Sequence, residues 1–400
     1  MTKLAIDGGK PVRSAPFPSW PAFRPEDIEA AADILRSGKV NYWTGPEGRR
    51  FEQEFANAYD SKHAVAVANG TLALELALRA LGIGSGDEVI TPCRSFVAST
   101  GCVVAVGAIP VMADVDRNSQ TLTAATILQA LTPRTKAVIA VHLAGWPCDM
   151  DPIMDLAAKR GLKVIEDCAQ AQGARYKGRC VGSLGHVAAF SFCQDKIMTT
   201  GGEGGMMTTN DSAIWEQAWS YRDHGRRFAC GEPQQKGFRY RMIYDTAGTN
   251  WRLTEMQSAI GLSMLHRVRE YATRRRKIAA RLNDGFSAIE ALRLTLPPAD
   301  IEHAYYRYYA VVRPERLREG WTRDRILAAV NAEGVPCFSG SCPEIYREKA
   351  FEEYRPARRF MVARELGETS LAFLVHPTVQ DSDILDVIDA VQKVMSHASA

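Results

Sequence analysis

The chain alternates short apolar runs with amphipathic stretches from about Glu52 onward. The apolar runs are rich in β-branched residues and lack a regular polar alternation, which is typical of strands buried on both faces. The stretches between them have helical spacing. This alternation predicts an α/β fold in which helices cover both faces of a parallel sheet. The segments concerned are HAVAVAN, TLALELALRALG, DEVITP, SFVASTGCVVAVG, IPVMADVD, KAVIAVHLAG, MDPIMDLAAKRG, LKVIEDCA and HVAAFSF.

The pattern changes in the C-terminal third of the chain. Residues 257–286 have the periodicity of one long helix or of two helices. A predicted strand, HAYYRYYAVVR, then opens a new unit, and two helices follow, TRDRILAAVNAEG and DSDILDVIDAVQKVM. We therefore expect an irregular N-terminal extension at 1–25 that lies over another surface, a large domain at 26–270, and a smaller domain at 271–400.

Composition and charge exclude several classes of partner. The 400 residues carry 49 basic and 46 acidic side chains, and a net charge of +3 gives no indication of nucleic-acid binding. No run of eighteen apolar residues predicts a membrane span. The nine cysteines include no Cys-x-x-Cys pair, so we expect neither a metal site nor disulfides. Since MTKLAIDGGKPV also lacks a signal-peptide core, we expect a cytoplasmic protein.

The loops that follow parallel strands gather at one edge of a sheet. In the first such loop, ANGTLALELAL, Gly70 permits close backbone approach and Thr71 supplies a hydroxyl. The free N–H groups at the start of the next helix favour an anion. An ordinary helix N-cap explains the same residues, so this loop alone leaves both interpretations open.

The second loop, VIEDCAQAQGA, places Asp167 directly after an apolar strand. An unpaired carboxylate is costly in such a position, and a cation such as a protonated pyridine nitrogen relieves that cost. A structural role, in which Asp167 caps the next turn, is the alternative.

The third loop, AFSFCQDKIMTTGGEGG, carries Lys196 from a strand into a cluster of glycines. Burial disfavours an ammonium ion, so we expect the pKa of Lys196 to fall and its amine to act as a nucleophile toward carbonyl carbons. A phosphate cradle, a carboxylate and a lysine are what pyridoxal phosphate requires. Together the three loops predict a site for that cofactor.

Longer motifs resemble those of the DegT/DnrJ/EryC1/StrS aminotransferases across nearly the whole chain. They are GPEGRRFEQEFA, GDEVITP, VHLAGWPCDMD, VIEDCAQAQGA, FSFCQDKIMTTGGEGG and GTNWRLTEMQSAIG. The resemblance implies an aspartate-aminotransferase-like fold of type I. Its large domain would hold a mostly parallel seven-stranded sheet between helices, beside a smaller C-terminal α+β domain. It also implies an obligate homodimer with shared active sites.

The resemblance assigns a role to individual residues. Lys196 matches the Schiff-base lysine and proton shuttle, and Asp167 matches the carboxylate on the pyridine nitrogen. Phe96 falls where the family stacks an aromatic ring on the cofactor, although a core aromatic is the alternative. The other matches are Gly70, Thr71 and Ser191 as phosphate contacts, Gln170 beside the ring hydroxyl, Asn250 as a phosphate ligand from the partner subunit, and Arg252 for the donor carboxylate. A surface ion pair is the alternative for Arg252.

The acceptor is less well defined. Family members that act on nucleotide-linked sugars often carry a HYP-x-P-x-H-like stretch, whereas this chain has GVPCFSGSCPEIYREKAF. We expect the acceptor to lie between the cofactor, residues 338–346 and the partner's residues near Asn250, with Ser339, Ser341 and Tyr346 as contacts. The stretch SGSCPEIY within it contains no Lys or Arg to hold a diphosphate. The candidates to supply that charge from elsewhere are Arg226, Arg227 and Arg239.

The resemblance therefore implies a transaminase that moves an amino group from glutamate or glutamine to the ketone of a nucleotide-linked keto sugar, in amino-sugar biosynthesis. FPSWPAF near the N-terminus resembles members that aminate cyclitols or form aminohydroxybenzoate, and such an acceptor is the alternative. A pyridoxal-phosphate-dependent sugar dehydratase is disfavoured because dehydratases of the family carry histidine where Lys196 stands. A non-catalytic sensor is disfavoured because the catalytic set is complete.

Overall fold

The computed structural model describes residues 2–228 and 243–400. The strands are β1 (His63–Val67), β2 (Glu88–Pro92), β3 (Ile109–Ala113), β4 (Thr135–Val141), β5 (Lys163–Asp167), β6 (Arg175–Tyr176), β7 (Arg179–Cys180), β8 (Val187–Ser191), β9 (Gly205–Thr209), β10 (Leu292–Leu294), β11 (Ile301–Glu302), β12 (Tyr308–Val312), β13 (Cys337–Phe338) and β14 (Ser370–Phe373). The helices are α1 (Pro25–Ser37), α2 (Glu47–Ala58), α3 (Gly70–Ala80), α4 (Ala98–Ala105), α5 (Ala124–Ala130), α6 (Met150–Arg160), α7 (Ser212–Arg222), α8 (Glu255–Leu265), α9 (Val268–Phe286), α10 (Arg323–Ala332), α11 (Met361–Thr369) and α12 (Asp381–Ala398).

Seven strands form the central sheet in the order β1-β9-β8-β5-β4-β2-β3. The pairs β8–β5, β5–β4, β4–β2 and β2–β3 are parallel, and β9 runs antiparallel to both of its neighbours. The mostly parallel sheet predicted from the sequence is confirmed. Since β1 is antiparallel to β9, it points the same way as β8, and the carboxyl ends of β1, β5 and β8 lie at one edge.

Two hydrophobic cores cover the faces of this sheet. One contains Phe51, Phe55 and Phe190, and the other contains residues of α3 and α7 such as Leu76 and Trp219. The strand residues are buried on both faces, which explains why their sequences lack polar alternation.

A third core lies under a smaller antiparallel sheet of order β10-β12-β14-β13. Helix α9 joins this core to the first one: Val268 and Tyr271 pack in the first, and Ile278 and Phe286 pack in the third. The predicted boundary at 270/271 falls within this helix and stays a prediction. Residues 257–286 contain two helices, α8 and α9, which was one of the two alternatives.

The first 25 residues lie against both parts of the molecule. Leu4 is buried in the third core, and the Trp20 ring packs edge-on against Tyr271 with its centroid 5.3 Å away. In the described part of the chain, no helix combines the length and the apolar character needed to cross a membrane.

Candidate active site

A cavity of about 890 Å³ lies at the carboxyl edge of the central sheet, where residues of the smaller sheet form its opposite wall. It brings together most of the residues predicted for the site. Those that line it are Gly70, Thr71, Phe96, Asp167, Gln170, Ser191, Lys196 and Ser341. Those that do not line it are Asn250, Arg252, Ser339 and Tyr346.

The loop between β1 and α3 forms one end of the cavity. The Asn69 side chain caps α3, since its Oδ1 accepts a hydrogen bond from Leu72 N at 2.9 Å. Gly70 lies so close to Ser191 that a Cβ at position 70 would stand 2.5 Å from the Ser191 Cβ. As first residues of α3, Gly70 and Thr71 have N–H groups without an acceptor inside the helix. The loop is therefore both an N-cap and a site suited to an anion.

Asp167 ends β5 and is 4% exposed. Its carboxylate accepts hydrogen bonds from Ser99 Oγ at 2.7 Å and from Ala169 N at 3.1 Å. Burial raises the pKa of Asp167, although these hydrogen bonds and the charges of Lys196 and His142 act in the opposite direction. Among the described residues, no cationic side chain lies within ion-pair distance of it. The carboxylate thus faces the cavity without a counter-ion.

A buried hydrogen-bond network holds Asp167 from behind. The preceding Glu166 accepts hydrogen bonds from three backbone N–H groups of the loop 182–185 at 2.7 to 2.9 Å. Its carboxylate also lies 3.0 Å from Nε2 of His142, whose backbone N–H donates to the carbonyl of Asp167. Both side chains are fully buried. The network fixes where β5 ends and therefore where Asp167 points.

Gln170 is positioned by the strained turn Leu143–Gly145, which follows β4. Its Oε1 accepts a hydrogen bond from the N–H of Ala144 at 2.7 Å. Ala144 has a φ of 58°, in the left-handed region that a non-glycine residue rarely adopts. This contact leaves the Gln170 amide nitrogen as the donor available to the cavity.

Lys196 lines the same cavity as Asp167, as predicted. Its pKa, however, is shifted in the direction opposite to the one expected. Burial lowers the pKa of Lys196, as the sequence suggested. Tyr306, Asp195 and Cys193 act in the other direction and outweigh burial, so that the net pKa is raised. Burial of the Tyr306 hydroxyl keeps that group neutral at neutral pH, which leaves the Asp195 carboxylate, 3.6 Å from Nζ, as the anion that matters there.

The side chain of Phe96 is 62% exposed at the rim of the cavity. A core aromatic, the alternative weighed from the sequence, would be buried. Phe96 instead offers a ring face or edge to whatever occupies the cavity.

The model of the DegT/DnrJ/EryC1/StrS aminotransferase family matches residues 21–392. The chain belongs to this family. The aminotransferase is 33% identical, across 99% of both chains, to an L-glutamine:2-deoxy-scyllo-inosose aminotransferase of Micromonospora echinospora. It is 35% identical to a dTDP-3-amino-3,4,6-trideoxy-alpha-D-glucose transaminase of Streptomyces venezuelae, over 94% of this chain and 93% of the relative.

A solved aminotransferase from Psychrobacter cryohalolentis has 50% identity and a TM-score of 0.93, over 95% of this chain and 99% of that one. The predicted enzyme class and fold are thereby confirmed. Family and fold imply pyridoxal phosphate as the cofactor. The residues present fit this cofactor. A Cβ at position 70 would meet Ser191, so the backbone beside the free N–H groups of α3 stays open to a phosphate. Asp167 is a buried carboxylate without a cation, which suits a protonated ring nitrogen.

Three residues around Lys196 in the aminotransferase were missed from the sequence: Asp195, Tyr306 and Arg307. The Tyr306 hydroxyl donates to Asp195, and the Arg307 guanidinium lies 3.7 Å from the same carboxylate. Tyr306 and Arg307 belong to HAYYRYYAVVR, which was predicted as a strand, but β12 begins only at Tyr308. The available signal was the run of tyrosines interrupted by Arg307 at the start of this segment.

Four residues of the segment 338–342 line the cavity: Phe338, Gly340, Ser341 and Cys342. The Ser341 N–H donates to the Tyr309 hydroxyl at 3.0 Å, and Ser95 forms an isolated β-bridge with Cys342. The guanidinium of the fully buried Arg94 donates to Gln120 Oε1 at 2.9 Å and to Ser370 Oγ at 3.2 Å, and its Nη1 lies 3.5 Å from the Ser341 carbonyl oxygen. This segment is therefore attached to the end of β2.

Ser339 and Tyr346 do not reach the cavity. The Tyr346 side chain is 2% exposed, packs in a separate cluster with Ile345 and Phe351, and donates its hydroxyl to Glu344. The 3-10 turn at Ile345–Arg347 carries Tyr346 into that cluster instead of toward the cavity. The prediction that Tyr346 contacts the acceptor is thus at odds with this geometry.

Asn250 and Arg252 lie outside the cavity of their own chain. Arg252 forms an ion pair with Asp223. An ion pair was the alternative weighed from the sequence, but this one is largely buried, with 13% of the arginine side chain exposed. Asn250 is exposed and forms an isolated β-bridge with Asp223. Because Asp223 takes the charge of Arg252, this arginine is not poised for a donor carboxylate in the same chain.

The arginines considered for a diphosphate are placed elsewhere. Arg226 is 4% exposed and stacks over the Trp43 ring at 4.1 Å, and Arg227 forms an ion pair with Asp245 at 2.6 Å. Neither lines the cavity. Arg239 lies outside the described residues.

Proposed function

We propose that this aminotransferase moves an amino group from glutamate or glutamine to the ketone of a sugar-derived ring, with pyridoxal phosphate bound through Lys196. The observation that carries the proposal is the pairing, in one cavity, of a buried carboxylate without a counter-ion and a largely buried lysine. When bound, the cofactor supplies an electrophilic aldehyde carbon and an electron-withdrawing ring.

The residues of the chain would hold the cofactor at three points. The N–H groups of Gly70 and Thr71, together with the Ser191 hydroxyl, form the anion site for its phosphate. Asp167 would hold the proton of the pyridine nitrogen, because a cation at that position stabilises the ionised carboxylate that burial disfavours. Phe96 would lie against one face of the ring, and the Gln170 amide would donate to the ring hydroxyl; both side chains line the cavity.

Lys196 would move the proton between the reacting carbons at its Nζ. To accept a proton, the amine must be neutral, and Asp195 opposes that by raising the pKa. The same carboxylate, 3.6 Å away, stabilises Nζ whenever it carries the proton. Tyr306 and Trp20 keep the lysine oriented: the Tyr306 ring lies 4.9 Å from Nζ, and Trp20 Nε1 donates to the Lys196 carbonyl at 2.8 Å.

For the acceptor, we propose a nucleotide-linked keto sugar as the leading class. Support comes from relatives such as the dTDP-amino-sugar transaminase, and from a cavity of about 890 Å³ that is larger than a cofactor and an amino acid require. A cyclitol is the second candidate. It is favoured by the inosose aminotransferase relatives and by the low basic charge of the cavity: of the described residues that line it, Lys196 and Arg307 alone are Lys or Arg.

We further propose a cytoplasmic homodimer in which Asn250 of the partner subunit completes the phosphate site. The exposure of Asn250 outside its own cavity supports this arrangement. All eight described cysteines are free, which is compatible with a reducing compartment.

The test is a pair of half-reactions. The purified protein is loaded with pyridoxal phosphate, and its visible absorbance is followed on addition of glutamate or glutamine. We expect one donor to bleach it, and a keto-sugar or scyllo-inosose acceptor to restore it with formation of an aminated product. A loaded protein that neither donor bleaches would contradict the proposal, and the acceptor panel decides between the two ring classes.

A further inference from the structure

Arg307 reaches the cavity from the residue before β12, and no carboxylate holds its guanidinium tightly. The nearest, Asp195, lies 3.7 Å from Nη2, beyond the usual hydrogen-bond distance. Within the described residues Arg307 makes no hydrogen bond, and its guanidinium lies over the Tyr306 ring at 4.8 Å. Its side chain is 24% exposed, so that much of its hydration is already lost.

The region around Arg307 carries more positive than negative charge. Asp195 is the carboxylate near both Lys196 and Arg307. Directly behind, Arg275 is fully buried, donates to the carbonyls of Tyr305 and Tyr306, and leaves Nε and Nη2 without a partner. Burial and then the charge of Arg307 lower the pKa of Arg275 to about 9. Lys196 and Arg307 thus flank a single carboxylate, Asp195, and the buried Arg275 adds positive charge beside Arg307, which favours an additional anion next to Arg307.

Distance indicates which anion belongs there. Asp195 lies within 4 Å of both Lys196 Nζ and Arg307 Nη2, so both cations reach the same carboxylate. The α-carboxylate of an amino acid is two bonds from the reacting nitrogen and therefore stays near the lysine that serves that nitrogen. The diphosphate of a nucleotide-linked sugar stands several bonds farther from its reacting carbon. A guanidinium also offers the bidentate geometry that a carboxylate prefers.

We propose that Arg307 binds the α-carboxylate of the amino donor. The donor carboxylate would then replace Asp195 as the nearest anion to the Arg307 guanidinium. Arg252, the residue expected for this role from the sequence, is already paired with Asp223. The proposal rests on the proposed function, because it assumes an amino-acid donor. It adds the site that would recognise that donor.

The experiment measures equilibrium binding without turnover. The protein loaded with pyridoxal phosphate is titrated calorimetrically with 2-oxoglutarate, a carboxylate that cannot react with this form, and with its dimethyl ester. We expect Arg307→Gln to weaken 2-oxoglutarate binding by about 30-fold, the effect of losing a charge-assisted pair, and Arg307→Lys to weaken it less. The ester should bind weakly and equally to all variants.

Two further variants separate this role from a structural one. Asp195→Asn keeps an acceptor for the Tyr306 hydroxyl but removes the competing charge, and we expect it to tighten 2-oxoglutarate binding by a few-fold. Arg364→Gln, at an exposed pair with Glu368, is the matched arginine control and should leave binding unchanged. If Arg307→Gln lowers cofactor loading, Arg307→Lys and Asp195→Asn still decide the question.

Unchanged 2-oxoglutarate binding in the Arg307 variants would overturn the proposal. So would a loss confined to Arg252→Gln, or weaker binding of pyrophosphate without any change for 2-oxoglutarate. The proposed function fails separately, if the wild-type protein binds 2-oxoglutarate through Arg307 but no donor bleaches it. Bleaching in the wild type with equal donor affinity in Arg307→Gln would leave the function standing and remove Arg307.

Discussion

The carboxylate of Asp195 lies 3.6 Å from the Nζ of Lys196, its neighbour in the chain. Tyr306 and this carboxylate oppose the effect of burial, and the pKa of the lysine lies above its ordinary value. A low pKa is thus not an intrinsic property of the buried lysine in the cofactor-free protein. The amine must lose its proton against the pull of Asp195 before it can bond to an aldehyde.

Asp195→Asn should therefore shift the capture of pyridoxal phosphate to lower pH. Capture needs the neutral amine, so its rate rises as the pH approaches the pKa of Lys196, and removal of the Asp195 charge lowers that pKa. Stopped-flow absorbance from pH 6 to 10 measures the two profiles. Coincident profiles would show that Asp195 does not set the protonation of Lys196.

Asp167→Asn should have opposite effects in the cofactor-free and loaded proteins. Because the folded-state pKa of Asp167 is raised, its ionised form destabilises the cofactor-free protein above the ordinary carboxyl range, and acid relieves this. At neutral pH the amide should raise the free energy of unfolding by about 1 kcal/mol. In the loaded protein it should slow the donor half-reaction strongly, because an amide cannot hold the pyridinium proton. Destabilisation in both states would indicate a structural role.

Gly70→Ala should weaken cofactor binding by about tenfold or more, since overpacking costs ~1–3 kcal/mol and the new Cβ meets Ser191. Gly101→Ala is the matched control, because a Cβ at position 101 of α4 meets nothing within 4 Å. Fluorescence titration of the cofactor-free proteins with pyridoxal phosphate compares them. Equal affinities for all three proteins would remove Gly70 from the phosphate site.

Much of this site was predictable because its chemistry is local. Asp167 ends a buried strand, Gly70 and Lys196 lie in the segments that follow two others, and parallel strands bring such segments to one edge. The neighbours of Lys196 were not predictable in the same way. Tyr306 is 110 residues away in sequence (306 minus 196), and it reaches Lys196 only because the smaller sheet packs over the cavity.

The errors have a common physical origin in tertiary contacts. Burial alone predicts a lowered pKa for Lys196. The sequence shows that Asp195 precedes Lys196, but it does not show where the Asp195 carboxylate points. Arg252 and Tyr346 were assigned from their place in the chain, but Asp223 and Glu344 are their actual partners. Sequence pattern locates a loop, whereas the direction of a side chain depends on residues distant in sequence.

The acceptor wall gives a prediction with an internal comparison. Ser341 lines the cavity and Ser339 does not, so Ser341→Leu should raise the acceptor KM by about tenfold while Ser339→Leu has a smaller effect. The donor half-reaction, followed by bleaching, should be unchanged in both. Equal damage from the two substitutions, or damage to the donor half-reaction, would place the acceptor elsewhere.

Shared active sites predict complementation between two inactive proteins. If Asn250 serves the partner's phosphate site, a mixed dimer of Lys196→Ala and Asn250→Ala subunits contains one site with both residues intact. We expect refolded mixtures to reach about a quarter of wild-type activity when the subunits pair at random, and each variant alone to have little. A monomer by analytical ultracentrifugation, or mixtures no more active than their components, would exclude this arrangement.

The most direct measurement identifies the residue that holds the cofactor. The loaded protein is reduced with borohydride, which converts a lysine–cofactor linkage into a stable secondary amine, and its peptides are analysed by mass spectrometry. We predict one pyridoxyl phosphate group per chain, attached to Lys196, and its absence from Lys196→Ala. Attachment to a different lysine, or no attachment in a protein that retains the cofactor, would contradict the assignment of this cavity as the active site.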